Sequence, residues 1–149
     1  MLPDKNVETA RSKRSSILLV DDDELVLAML AARLTDFGYH VVQADCGKSA
    51  LALLDAGEEV GLLVSDLSMT GMNGISLINE AHTRCPNLPA ILLTGYAGDA
   101  AELAIGEAIG GKFSLLRKPA SGTLLADCIE SLPEDNSAIK GIPRFKADD

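Results

Sequence analysis

The sequence predicts an α/β fold, with a five-stranded parallel sheet covered on both faces by helices. Three observations predict it. Five short apolar runs alternate with stretches of helical period, several of the runs are continuous rather than alternating, and the polar residues that matter chemically fall just after the runs. The first run, Ile17–Val20, is unbroken and suits a strand buried on both faces; the helical pattern Glu24–Phe37 follows, with Leu25, Met29, Ala32 and Leu34 read as its inner face. Tyr39–Ala44 is more polar and is expected at an edge of the sheet. Gly47–Ala56 follows with Ala50, Leu51 and Leu54 inward. Val60–Ser65 leads into Gly74–Arg84, whose inner residues are Ile75, Leu77 and Ile78. Ala90–Leu93 precedes the helical pattern Asp99–Ile109, and Phe113–Leu116 precedes Ser121–Leu132. No internal repeat or low-complexity segment interrupts this order.

A length of 149 residues fits one ordinary domain, and 47% hydrophobic with 23% charged residues excludes wholesale disorder and fibrous repeats. Residues 1–15 and 133–149 are polar and aperiodic and read as flexible tails around a domain at 16–132. No apolar run reaches membrane-spanning length, and the basic start lacks the apolar stretch of a secretory signal, so the expectation is a cytoplasmic protein without membrane contact. Cys46, Cys85 and Cys128 are too widely spaced for a metal pattern and read as reduced packing residues. Residues 17–132 hold six basic and sixteen acidic residues, a net charge of −10. Such a body repels phosphate backbones, which argues against nucleic acid as a partner.

Asp21, Asp22 and Asp23 follow the first run, Asp66 the third, Thr94 the fourth, and Lys118 stands just past the fifth. In an open parallel sheet the carboxyl ends of the strands share one rim, where ligands bind. At least three carboxylates, a hydroxyl and an ammonium are thereby delivered to one place. Carboxylates so close raise one another's pKa unless a hard cation lies among them. An oxygen-only, partly open site suits Mg²⁺, which keeps several waters and takes one or two carboxylates.

Each residue has a plainer explanation. Asp21–Asp23 can cap the following helix, Asp66 can serve the turn DLSMTGMNG, Thr94 can simply end a strand, and Lys118 can be a solvated loop lysine. Four such coincidences at successive strand ends are less economical than one site.

With these residues in hand, the stretch from about Ser16 to Leu132 resembles the receiver domain of two-component response regulators, in a form close to that found on hybrid sensor kinases. ILLVDDDE resembles the family's first strand with its acidic pair, VSDLSMTGMNG its phosphoacceptor loop, ILLTGYA its switch hydroxyl and LLRKP its lysine, followed by a proline that in this family usually follows a cis peptide. The resemblance implies a flavodoxin-like (βα)5 three-layer sandwich of strand order 2-1-3-4-5. It implies Asp66 as phosphoacceptor, and Mg²⁺ held by Asp21, Asp22, Asp66 and the Ser68 backbone carbonyl, where Mn²⁺ could substitute. It implies Thr94 and Lys118 as the groups that bind the phosphoryl oxygens and switch. A histidine kinase or phosphotransfer protein would be the donor and a downstream protein the reader. A homodimer through the face of the fourth helix, fifth strand and fifth helix is also implied. The domain would be a signalling module rather than an enzyme, though it assists its own phosphorylation and dephosphorylation, and would be either a single-domain regulator or a receiver detached from a hybrid kinase.

Two residues depart from the family's pattern. Leu115 stands where an aromatic side chain usually flips as the hydroxyl moves, and Tyr96 or Phe113 are the available substitutes. Thr70 stands where the phosphoacceptor loop commonly has proline. The fourth helical pattern, apolar on more than one face, is either a partner surface or a well-covered helix. Two other readings compete. A Mg²⁺-dependent phosphatase of the haloacid dehalogenase type would use Asp21–Asp23, Thr94 and Lys118, but gives Asp66 no role and needs an acidic strand end after the lysine, where Asp127 sits in a helical pattern. A flavodoxin-like interaction domain that is never phosphorylated is the other.

Overall fold

The computed structural model describes residues 16–95, 99–110, 112–132 and 144–145; the expected tail at 1–15, Tyr96 and most of the expected tail at 133–149 lie outside the described residues. The five expected strands are β1 (Ser16–Val20), β2 (His40–Ala44), β3 (Leu62–Asp66), β4 (Ala90–Thr94) and β5 (Ser114–Arg117). The helices are α1 (Glu24–Asp36), α2 (Gly47–Asp55), α3 (Gly74–Arg84), α4 (Asp99–Ala108) and α5 (Gly122–Ser131). All strand pairs are parallel, in the order β2-β1-β3-β4-β5, with the more polar β2 at one edge as expected.

At the other edge the structure departs from expectation. Arg144–Phe145, within a segment read as a flexible tail, forms a sixth strand, β6, parallel to β5 with Leu115 opposite Arg144 and Leu116 opposite Phe145. An edge strand offers a row of unpaired N–H and C=O groups, and a two-residue pairing needs no apolar period that sequence reading could detect.

Strand side chains alternate between two cores. Ile17, Leu19, Leu62, Val64, Ile91, Leu93 and Leu116 face α1 and α5, where Leu30, Leu34, Leu125 and Ile129 meet them. Leu18, Val20, Leu63, Leu92 and Leu115 face α2, α3 and α4, where Leu51, Leu77, Ile78 and Ile105 meet them. Burying a Leu or Ile side chain is worth about 1.5–3 kcal/mol, so the three central strands, buried on both sides, anchor the rim on which the polar residues stand.

The inner face of α1 differs from the sequence expectation. Leu27, Leu30, Ala31 and Leu34 are buried, whereas Leu25 and Met29 are 81% and 66% exposed. ELVLAMLAARLTD carries two apolar stripes, each at helical spacing, and only packing against the sheet and α5 chooses between them. The helix ends at Phe37, and Gly38, at φ 101°, turns the chain back so that Tyr39 N–H reaches the Leu34 carbonyl at 3.1 Å.

Candidate functional site

β1 stops at Val20, and the Asp21 N–H still donates to the Ala44 carbonyl of β2 at 3.2 Å, which fixes the start of the acidic run at the rim. The three aspartates then divide. Asp23 caps α1, its Oδ1 accepting from the N–H groups of Leu25 at 3.0 Å and Val26 at 3.2 Å, so the capping explanation holds for this residue. Asp21 and Asp22 are left for the site. Asp21 is buried and its Oδ1 accepts from the Asp23 N–H at 2.9 Å, while its buried Oδ2 has no hydrogen-bond partner among the described residues. Asp22 is exposed, and its Oδ2 accepts from the Thr70 N–H at 2.8 Å.

Asp66 ends β3 and is 4% exposed. Carboxylate oxygens of Asp21, Asp22 and Asp66 all lie within 4.8 Å of one another. Burial, reinforced by the neighbouring Asp66 carboxylate, holds the Asp21 carboxyl above its ordinary range, and the Asp23 N–H works against it. Lys118, one residue past β5, forms an ion pair through Nζ with Asp66 Oδ1. Its own N–H donates to the Thr94 carbonyl at 2.8 Å, holding the ends of β4 and β5 together, and the Lys118–Pro119 peptide is cis. Thr94 is buried as the last residue of β4. Ser68 is exposed and lines a groove of about 730 Å³ together with Asp22, Met69 and Thr70.

The sequence-predicted residues Asp21, Asp22, Asp66, Ser68, Thr94 and Lys118 thus come from four strand ends to one rim. Two supports were not read as such in the sequence, where Gly74 only starts a helical pattern and Thr70 stands out only for lacking the family's proline. The start of α3 presses against the loop after β3: Gly74 N–H donates to the Leu67 carbonyl at 2.9 Å, and a Cβ at position 74 would lie 2.4 Å from the Asp66 carbonyl oxygen. Only glycine fits there, and no spacing rule could have said why. The second is Thr70, whose N–H a proline would lack. Three carboxylates, one of them with a buried unsatisfied oxygen, against a single ammonium make an oxygen-only donor set with room for positive charge, which suits a hard divalent cation.

The profile described as the response regulator receiver domain matches residues 17–130. The chain belongs to this family. The receiver domain is 37% identical over 125 residues to the transcriptional regulatory protein GlrR of Escherichia coli, covering 84% of this chain and 28% of that protein. It is 34% identical over 134 residues to the sensor kinase CckA of Brucella abortus, covering 88% of this chain and 14% of that one. It therefore spans well under half the length of these two relatives. Among solved structures, the signal receiver domain of an HD domain-containing protein from Pseudomonas fluorescens superposes with a TM-score of 0.70 at 31% identity, covering 85% of this chain and 99% of that one. The chain is a receiver domain of two-component signal transduction, with the flavodoxin-like sandwich and strand order that the resemblance implied. Asp127, the residue a dehalogenase-type phosphatase would need at a strand end, lies exposed within α5. In this receiver domain Leu115 is 2% exposed and packs in the core with Phe113, itself 4% exposed, so neither reaches solvent. No helix among the described residues is long and apolar enough to cross a membrane.

Proposed function

We propose that this receiver domain accepts a phosphoryl group on Asp66 in a Mg²⁺-dependent reaction, from a histidine kinase or a phosphotransfer protein, and that the change is read by a downstream protein. The observation that carries the reading is the meeting of Asp66, its carboxylate neighbours and Lys118 at one rim. An oxygen of the Asp66 carboxylate attacks phosphorus as the phosphorus–nitrogen bond of a donor phosphohistidine breaks, leaving an acyl phosphate on Asp66 and the electron pair on the imidazole. Such a transfer needs in-line positioning and neutralisation of the equatorial oxygens more than it needs acid or base groups.

Asp21, Asp22, Asp66 and the Ser68 backbone carbonyl would hold the cation, Asp21 mainly through water, and Mn²⁺ could take the same place. When bound, Mg²⁺ supplies charge neutralisation at the phosphoryl oxygens. Lys118, paired with Asp66 at rest, passes to a phosphoryl oxygen afterwards, as a compact charge on a flexible stem can. The Thr94 hydroxyl turns to hydrogen-bond a second oxygen. Three new acceptor oxygens on the rim then bias the chain that follows β4. With Leu115 aliphatic and buried, that bias reaches α4 without an aromatic flip.

The exposed side chains of Leu25 and Met29, on the helix that starts at the acidic run, offer an apolar landing, and this supports a protein as phosphodonor. Relatives that are transcriptional regulators and a sensor kinase make a transcriptional effector or a kinase core the natural reader in a longer protein. The test is incubation of the full chain with Mg²⁺ and a small acyl phosphate, read by intact-protein mass spectrometry. One phosphoryl group is expected on the native chain and none on Asp66→Asn. An equal gain on the variant refutes Asp66 as acceptor, and no gain on the native chain favours an unphosphorylated interaction domain.

A further inference from the structure

Helices α3 and α4 follow neighbouring parallel strands, and among the described residues the side chain of Asn79 joins them. The Asn79 amide nitrogen, in the second turn of α3, donates to the Ala108 carbonyl at 2.9 Å, and its amide oxygen accepts from the Gly110 N–H at 3.0 Å. Ala108 is the last residue of α4, so its carbonyl is among the four that a helix end leaves without an internal partner. The Asn79 amide supplies the donor and acceptor that a peptide group would.

One turn nearer the rim the two helices part. The groove of about 730 Å³ separates Asn73 and Ile75 of the α3 start from Ala104 and Ile105 of α4, and it opens onto Asp22 and Thr70 at the acidic rim. Of the pair, α3 is the fixed member. Its first residue is seated where a Cβ would lie 2.4 Å from the Asp66 carbonyl oxygen and 2.6 Å from Leu92 Cδ1, and Leu77, Ile78 and Ala81 are fully buried. α4 reaches the same core through Ile105, while Leu103 beside it is 64% exposed. A helix clasped at its C-terminal end and parted from its neighbour by a gap one turn nearer the rim has one easy motion, a swing about the clasp.

We propose that Asn79 is the pivot of α4, a positioning residue that keeps the end of the helix on α3 while events at the rim swing the remainder across the groove. The swing rests on Asp66 being phosphorylated; the clasp does not. Because α4 follows Thr94 and β5 ends just before Lys118, a pinned Ala108–Gly110 corner converts a displacement after β4 into rotation of the helix rather than translation of the helix and β5 together.

The experiment is hydrogen exchange of the full chain before and after Mg²⁺ and a small acyl phosphate, for the native protein, Asn79→Leu and Asn79→Asp, with intact mass recording phosphorylation and β1 and β3 amides recording the fold. In the resting state Asn79→Leu is expected to speed exchange at Gly110 on the order of tenfold, with β1 and β3 unchanged. Asn79→Asp, which keeps the acceptor for Gly110 N–H and loses the donor to Ala108, should retain most of the protection. On phosphorylation the native chain should respond in the helix before Ile105 and stay protected at Gly110, whereas Asn79→Leu should respond along the whole helix. Native-like protection at Gly110 in Asn79→Leu overturns the clasp. A native response as large at Gly110 as at the helix start overturns the pivot. If the mass shows no phosphoryl group, the phosphoacceptor reading fails and takes the swing with it, while the resting-state comparison still decides the clasp.

Discussion

Lys118 and Asp66, contributed by the ends of β5 and β3, form an ion pair in which the lysine side chain is 38% exposed and the aspartate side chain 5%. The asymmetry has a consequence for Lys118→Ala. The lysine stem lies near solvent, so its loss leaves no cavity, but it strands a nearly buried Asp66 beside Asp21 and Asp22. Without Mg²⁺ the variant should fold but lose roughly 1–2 kcal/mol, below the full penalty for breaking a buried pair because one partner is half in water. Urea unfolding with and without Mg²⁺ checks this, and the deficit should shrink when the cation is present. Phosphorylation of the variant should no longer alter exchange in α4; a normal response there refutes the role given to Lys118.

Thr70 permits a second prediction. Its N–H donates to Asp22 Oδ2 at 2.8 Å, tying the loop after β3 to the acidic run. Proline would stiffen the unfolded chain, a gain of about 0.4–1 kcal/mol where the native backbone accepts it. It would also delete a bond to a carboxylate, worth about 1.5 kcal/mol or somewhat less at an exposed site. Thr70→Pro should therefore fail to stabilise the metal-free protein, whereas Thr70→Ala, which keeps the N–H, should stay within about 0.5 kcal/mol of the native chain. Denaturant midpoints for the two variants decide it; a clear gain for proline would mean that the bond contributes little.

The sheet and its rim were legible because the signals are local. A doubly buried parallel strand must be a continuous apolar run, and a ligand site at the carboxyl ends must show polar residues directly after those runs, as Asp66 and Thr94 do. What was not legible depends on partners far away in sequence. ELVLAMLAARLTD is apolar on two stripes, and the choice of Leu27 and Leu30 over Leu25 and Met29 is made by α5 and the sheet. Asn79 looks like any polar residue on a helix until Ala108 and Gly110 are brought beside it. β6 has two residues and no period at all.

The corrected face of α1 can be measured. Leu30→Ala should cost about 2–5 kcal/mol, the usual range for truncating a buried leucine, whereas Leu25→Asp and Met29→Asp should stay within about 0.5 kcal/mol of native. The same two surface variants should slow phosphorylation by a protein donor while leaving phosphorylation by a small acyl phosphate unchanged, since only the former needs the landing. Equal effects with both donors would place the defect in the site itself.

The cysteines should separate by burial. Cys46 and Cys85 are half-buried, whereas Cys128 is 2% exposed and burial pushes its thiol up to about 12. A neutral alkylating reagent should therefore modify Cys46 and Cys85 in the folded protein and reach Cys128 only on unfolding, because the thiolate is the reactive form. Peptide mapping after a short pulse gives the order of reaction, and early labelling of Cys128 would mean that α5 opens readily.

Asp21 gives the pH dependence its sign. Burial holds its carboxyl above the unfolded value of 3.8, so between that value and the folded one the native chain binds more protons than the unfolded chain. The contribution of this residue to the stability of the metal-free protein is therefore favourable at low pH and is lost as pH rises through the folded value. Asp21→Asn removes the buried charge, and with it one of the three carboxylates within 4.8 Å of one another. The variant should melt several degrees higher than the native chain at neutral pH without Mg²⁺, and the difference should close as the pH falls toward the ordinary carboxylate range. Adding Mg²⁺ should reverse the order, because a cation that binds only the folded state stabilises in proportion to its affinity, and the native site binds it more tightly. Melting curves over this pH range, with and without the cation, test each part, and an Asp21→Asn variant that gains as much from Mg²⁺ as the native chain would remove Asp21 from the ligand set.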